Sequence, residues 1–301
     1  LVADHIVSSR VVFPAAAYLE LARAVFCAEA SSAAAGAVLR GVFFVQPLLL
    51  EGSGLHIECV LSDGQFEVRS GQATGSGSLA DVNVHCSGKV GSDADDLPVR
   101  FDPLVVRCCQ CMHAVDAAAL YMEVHHTGLQ YGPGYRVLDR VWGDGSFLIS
   151  RVSVRPRARG SVEVHPADLD GALQLSIVNG MSSGRGTRLP FAVGEAQLRG
   201  GSRGALWASA GLADGGKMAS VHLSGAGARP QAQLDGLQVR AVRDAAHSVA
   251  RDLYISEWVQ AASIAPSTYA GSMLLIGASE VEVYTTEHDG RVARVAAASS
   301  H

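Results

Sequence analysis

The hydrophobic pattern changes period several times along the chain, and each change marks an element. From Pro14 to about Ala30, the run PAAAYLELARAVFCAEA carries Ala17, Leu21, Ala24, Val25 and Ala28 at helical spacing, which predicts one apolar helix face. Pro14 suits the first helical position, where its missing N–H costs no hydrogen bond. Strand-like stretches follow in VLRGVFFVQPLLL, GLHIECVL, QFEVRS and DVNVHCSGKV, separated by turns rich in Gly, Ser and Asp. One helix followed by several antiparallel strands predicts a sheet wrapped around that helix. After GSDADDLPVRFDP, where periodicity gives way to charge, the pattern recurs in outline. DAAALYMEVHHTG reads as a short helix and FLISRVSV as a strand. PADLDGALQLSIVNG reads as a second long helix stopped by Asn179-Gly180. Four more strands follow in AVGEAQLRG, ALWASAGL, MASVHLSG and AQLDGLQVRAV.

The fold class is therefore α+β, with two helix-plus-sheet halves related in architecture but not in residue-level self-similarity. The expected boundaries are 1–95 for the first half, 96–112 for a linker and 113–245 for the second half. The tail, 246–301, is patterned differently: DLYISEWVQ and SMLLIGASEVEVY read as the opening strands of a truncated α/β segment. Neither GSMLLIGAS nor ATGSGS has the glycine spacing of a dinucleotide site. The opening LVADHIV lacks a Met and a basic n-region and carries Asp4 and His5, so it reads as the interior of a longer polypeptide and not as a signal peptide.

Composition narrows the function classes. Of 301 residues, 48% are hydrophobic and 18% charged, which is globular and not disordered. A net charge of -5 gives no reason to expect nucleic acid. The basic stretch RVSVRPRARG alternates like an exposed strand. Pro14, Glu20 and Arg23 interrupt the most apolar segment, so no membrane helix is expected. The six cysteines suit a reducing cytoplasm. Cys27, Cys59 and Cys86 read as small hydrophobes, and Cys108-Cys109-x-Cys111 with His113 lacks the ligand spacing of a zinc site.

The chemistry lies in two distant segments. DHIVSSRVVFP offers His5, whose imidazole can accept a proton near neutral pH. HPADLDGALQ offers Asp170 and Gln174, four apart and so on one helix face. Leu169, Ala172, Leu173 and Ile177 supply the apolar surroundings that would keep an aspartic acid protonated. A base facing an acid is what elimination of water requires. Tyr131, aimed by a turn at Gly132-Pro133, is a third candidate as a donor to the leaving oxygen. Asp168 reads as a helix-dipole residue, and His85, His113, His125 and His126 as surface or core residues.

These segments resemble the dehydratase domain of modular type I polyketide synthases and related fatty acid synthases. His5, Ser9 and Pro14 occupy the spacing of H-x3-G-x4-P. Gly128, Tyr131, Gly132 and Pro133 match G-x2-YGP. His165 to Gln174 match HPA-x-LD-x3-Q, and Leu189, Pro190 and Phe191 match LPF. Four motifs in order over about 245 residues imply a double hotdog fold with His5 and Asp170 as the catalytic pair. The implied substrate is a 3-hydroxyacyl thioester on the phosphopantetheine of an acyl carrier protein, with no cofactor in the domain itself. A homodimer is also implied. The tail resembles the start of a ketoreductase structural subdomain, and a leading strand is expected upstream of Leu1. Ser9 stands where the family has glycine, whose N–H helps polarise the thioester carbonyl. Serine keeps that N–H but loses easy access to positive φ. The alternatives are an impaired domain kept for synthase architecture, a product-template cyclase and a hotdog thioesterase.

Overall fold

The computed structural model describes residues 2–30, 36–51, 54–73, 79–92, 102–110, 113–144, 146–153, 162–180, 186–200, 205–213, 217–226 and 229–241, and four strands of a second unit. The first unit spans Leu1–Val242 and the second Arg243–His301. Most of the charged stretch after Ser92, the arginines beyond Val152 in RVSVRPRARG, most of ATGSGS and Cys111 lie outside the described residues.

A short 3-10 turn leads into β1 (His5–Val7) and β2 (Arg10–Val11), then α1 (Ala15–Glu29). Four strands follow: β3 (Ala37–Phe44), β4 (Leu55–Ser62), β5 (Gln65–Ala73) and β6 (Leu79–Ser92). Next come α2 (Pro103–Gln110), β7 (Ala114–Val115), α3 (Ala117–His126), β8 (Leu129–Tyr131), β9 (Leu138–Gly143) and β10 (Phe147–Val152). The last elements of the unit are α4 (Pro166–Gly180), β11 (Arg188–Leu198), β12 (Leu206–Ala213), β13 (Met218–Gly225) and β14 (Pro230–Ala241).

Eleven strands form one sheet in the order β4-β5-β6-β3-β11-β14-β13-β12-β10-β9-β7. Within it, β3 to β6 wrap α1, while β10, β12 and β13 lie along α4. The halves join where β3 pairs antiparallel with β11, for example Leu39 with Ala196. Two helix-wrapped antiparallel sheets fused edge to edge are a double hotdog. Fusion also removes two sheet edges that would otherwise expose unpaired N–H and C=O groups.

The two central helices begin differently. Pro14 is the N-cap of α1, in extended conformation, one residue ahead of the helical position expected for it. Its carbonyl accepts the first helical bond from the Ala17 N–H at 3.0 Å. The buried side of α1 also differs from the expected stripe: of that stripe Ala17 is buried, Leu21, Ala24 and Val25 are half-buried and Ala28 is exposed, while Ala16, Tyr18, Leu19, Glu20, Ala22 and Arg23 are buried as well. The periodicity misleads because two buried residues are charged. Arg23 grips Glu20 through two bonds of 2.7 Å, and Glu20 also accepts from the Glu163 N–H at 2.9 Å. In α4, His165 supplies the start: its ring Nδ1 accepts from the Ala167 N–H at 3.3 Å. Pro166 occupies the first helical position, where proline is tolerated best.

One further difference concerns a connection. A helix, α2, occupies the second part of the stretch expected as a linker, and its Arg107 guanidinium sits 4.8 Å over the Trp142 ring. The described strands of the second unit (Tyr254–Glu257, Met273–Ile276, Val281–Thr286 and Val292–Ala297) pair only antiparallel.

The hairpin carrying His5 turns through two residues, Ser8 (φ 46°) and Ser9 (φ 65°), both left-handed. Such φ values match the tight turn that suits twisted strands, but serine pays for them where glycine does not. Ser9→Gly should therefore stabilise the domain by about 0.5–1 kcal/mol, a left-handed cost of ~1–2 kcal/mol less glycine's added chain entropy. Urea unfolding measures this directly, and a lower midpoint in the variant contradicts it.

Candidate functional site

His5 leaves the first half and enters a site built mostly by the second. Its strand β1 pairs antiparallel with β8, placing His5 opposite Tyr131. The imidazole is buried at 5% exposure and makes edge contacts with the rings of Tyr131 and Tyr135 at 5.6 and 5.2 Å. Its Nδ1 lies 2.8 Å from the Val12 carbonyl oxygen. A carbonyl can only accept, so Nδ1 carries the proton and the neutral ring keeps its lone pair on Nε2. That Nε2 stands 3.8 Å from Asp170 Oδ1, beyond a direct hydrogen bond.

Asp170 projects from the second turn of α4 and is 4% exposed. Burial pushes its pKa up, against the smaller opposing effects of His5 and the Gln174 hydrogen bond. Gln174, one turn later, donates from Nε2 to Asp170 Oδ2 at 2.9 Å and to the Tyr135 carbonyl at 3.0 Å. Its Oε1 accepts from the Tyr121 hydroxyl at 3.1 Å, and that hydroxyl accepts from the Leu138 N–H at 3.1 Å. Each amide atom thus has a partner of the correct kind, which fixes the side chain's orientation. Gly171 lets α4 approach this region closely, since a Cβ there would clash with Val137 Cγ2.

His5, Tyr131 and Asp170 line one cavity of about 200 Å³. Its walls are largely apolar: Val12, Phe13, Tyr18 and Phe44 on one side, Leu173 and Ile177 on another, and Leu189, Pro190 and Phe191 along β11. Phe191 is covered by the Arg240 guanidinium 3.3 Å from its ring centre. Tyr131 is buried, and desolvation raises its pKa well above the ordinary phenol value, so it stays protonated.

The other motif residues serve the backbone. Gly132 opens the turn after β8: its N–H donates to the Asp4 carbonyl at 2.7 Å, while its carbonyl accepts from the Tyr135 N–H at 3.0 Å. A Cβ on Gly132 would lie 2.6 Å from Asp4 Oδ1, and Asp4 Oδ2 accepts from the Gly134 N–H at 2.8 Å, so Asp4 holds the Pro133-containing turn in place. Ser9 is exposed at the hairpin tip and does not line the cavity; its N–H donates to Gln130 Oε1 at 3.0 Å. Cys108 and Cys109 are exposed, Cys86 is buried, and Cys27 and Cys59 are half-buried.

Tyr121, Tyr135 and Asp4 were not singled out from sequence. Tyr121 lies in a stretch read only as helix, and nothing local marks a tyrosine that bonds a glutamine 53 residues away. Tyr135, in the same YGPGY segment as Tyr131, was the more accessible signal.

Comparison with known proteins agrees with this architecture. The polyketide synthase dehydratase domain family matches residues 1–73, and the polyketide synthase dehydratase N-terminal domain family matches residues 104–248. Polyketide synthase ThaG of Burkholderia thailandensis is 33% identical over 234 residues, 75% of this chain and 4% of that protein. The dehydratase domain from the CurF module of the curacin polyketide synthase superposes with a TM-score of 0.68 at 20% identity, covering 80% of this chain and 88% of that one. An inactive histidine-to-phenylalanine variant of the CurK dehydratase superposes with a TM-score of 0.66 at 18% identity, covering 81% and 88%. The chain belongs to the dehydratase domain family of modular type I polyketide synthases. It spans 4% of the length of ThaG and 4% of that of polyketide synthase PksN of Bacillus subtilis.

Because burial disfavours the charged form of the Asp170 carboxyl, ionising it in the fold costs stability. That group's contribution is fully present below the unfolded aspartate pKa of about 3.9 and is lost as pH rises through the raised folded value. Asp170→Asn should therefore be more stable than the parent at neutral pH, with the gain vanishing toward pH ~4. Thermal melts across pH test this, and a pH-independent difference contradicts it.

Proposed function

We propose that this domain removes water from a 3-hydroxyacyl thioester carried on the phosphopantetheine of an acyl carrier protein, giving the 2-enoyl thioester during polyketide elongation. The observation that carries the proposal is the buried pair: an imidazole with its lone pair on Nε2, 3.8 Å from a carboxyl whose pKa burial raises. His5 Nε2 takes a proton from C2, which the thioester carbonyl acidifies. Electrons of the C2–H bond form the double bond as the C3–O bond breaks. Asp170 protonates the departing hydroxyl, and one water leaves. Gln174 holds Asp170 through Oδ2, which leaves Oδ1, the oxygen nearer His5, to deliver the proton. Tyr131 donates a hydrogen bond to the leaving oxygen. The wall of Leu189, Pro190 and Phe191 takes the acyl chain.

An inactive CurK dehydratase with phenylalanine in place of a histidine is consistent with a histidine base in this fold. In the reading proposed here, residues 1–95 and 113–245 are the two hotdogs, 96–112 join them and 246–301 open a ketoreductase structural subdomain. The domain works in the cytoplasm as part of a dimeric synthase, beside a carrier protein and a ketoreductase. No helix among the described residues is long and apolar enough to cross a membrane.

Incubation with 3-hydroxyacyl thioesters of both configurations on a carrier protein tests the assignment by mass spectrometry. The expected product is lighter by one water. His5→Phe and Asp170→Asn should each lower the rate by about 10²–10⁴-fold, the usual worth of a general base or acid. A folded parent that dehydrates neither configuration would instead favour a domain retained for architecture, and an aromatic product from a poly-β-ketone would favour a cyclase.

A further inference from the structure

Tyr18 lines the same cavity as His5 and Asp170, yet the elimination gives it no part. It is 3% exposed on the first turn of α1, flanked by the rings of Phe13 at 4.9 Å and Phe44 at 6.2 Å. Behind it lies His85, nearly parallel at 8° and 6.5 Å between ring centres. Both His85 nitrogens are already engaged: Nε2 with the Ser70 hydroxyl at 2.7 Å, and Nδ1 with the Gln46 carbonyl at 3.2 Å. His85 therefore has no free nitrogen for the phenol.

Among the described residues, the Tyr18 hydroxyl has no hydrogen-bond partner. The Leu48 backbone N–H lies near enough to favour the phenolate slightly, but burial outweighs it and keeps the phenol protonated. Among the described residues the phenol is thus a buried O–H donor with no acceptor, carried by a residue that lines a cavity otherwise suited to an acyl chain. Buried polar groups without partners are rare because they cost stability, and binding pockets are where they recur, matched by the ligand.

We propose that Tyr18 is a specificity-determining residue that donates a hydrogen bond to an oxygen of the bound thioester beyond the reacting carbons. The proposal rests on the dehydratase reading and extends it to substrate class. The acceptor is a carbonyl or hydroxyl oxygen, and it has two possible sources: the distal acyl chain of a partly reduced polyketide, or the outer amide of the pantetheine arm. A site that hydrogen-bonds an oxygen discriminates strongly against the analogue lacking it, because the donor is then left buried and unmatched.

Tyr18→Phe tests this while preserving shape. Four 3-hydroxyacyl thioesters are needed: a saturated chain and an equally long chain with one distal keto oxygen, each on pantetheine and on the shorter N-acetylcysteamine, which lacks the outer amide. A loss of about tenfold in kcat/KM confined to the keto substrates assigns the acyl oxygen. A similar loss confined to the pantetheine thioesters assigns the arm. The same ratio of variant to parent for all four, whatever its size, overturns the proposal. The ligand-free variant should melt no lower than the parent, since it loses an unmatched hydroxyl; a lower Tm points to a structural hydrogen bond and also counts against the proposal. If the parent turns over none of the four, the dehydratase reading fails. Calorimetric Kd values for the same thioesters then decide the Tyr18 question by the same comparison.

Discussion

The pairing of β1 with β8 is the contact on which the site depends. It runs over only three residue pairs, His5 with Tyr131, Ile6 with Gln130 and Val7 with Leu129, and it belongs to a small sheet separate from the large one. Through it, a histidine at the start of the chain reaches an aspartate 165 positions later. The pairing is reinforced where it is weakest. The Ser8 N–H donates to the Gly128 carbonyl at 2.8 Å at one end, and Gly132 donates to the Asp4 carbonyl at the other. Three ladder positions flanked by such clamps give one register, and a slip of one residue would turn the imidazole out of the cavity.

The second constraint is the fully satisfied amide of Gln174. A buried glutamine is costly unless all its groups are matched, and here the matches come from α3, from the Tyr135 turn and from its own helix. The amide thereby joins the position of Asp170 to packing elsewhere in the second half. The ion pair of Glu20 and Arg23 works likewise from the first half, because Glu20 also holds the backbone at Glu163, two residues before the His165 cap of α4. Each half thus constrains the helix bearing the acid.

Much of the fold was legible because its strands alternate and its turns are rich in glycine. The helix 117–126, both central helices and strands β3 to β6 and β10 to β14 fall where periodicity puts them, whereas the short strands β1, β2, β7 and β8 and the strand β9 are not marked by it. The burial of α1 was not legible, since Glu20 and Arg23 look like solvent residues until their mutual bonds and the Glu163 N–H are known. The helix 103–110 was also missed: only eight residues long, it is held against Trp142 by Arg107, a contact that local pattern cannot show. His5, Asp170 and Gln174 stood out through motif spacing. Tyr121, Asp4 and the position of Tyr18 against His85 did not, because each acts through a partner far away in sequence.

The bond from His5 Nδ1 to the Val12 carbonyl has a further meaning for proton traffic. It closes one side of the imidazole, so a proton gained at Nε2 has no relay through the ring to bulk water. In the proposed elimination the histidine ends with one proton too many and the aspartate with one too few, facing each other across 3.8 Å in a largely apolar cavity. The departing water is the natural bridge for returning that proton. The site would then reset itself without outside acid or base, and hydrogen removed from C2 could leave in the product water before it mixed with the medium.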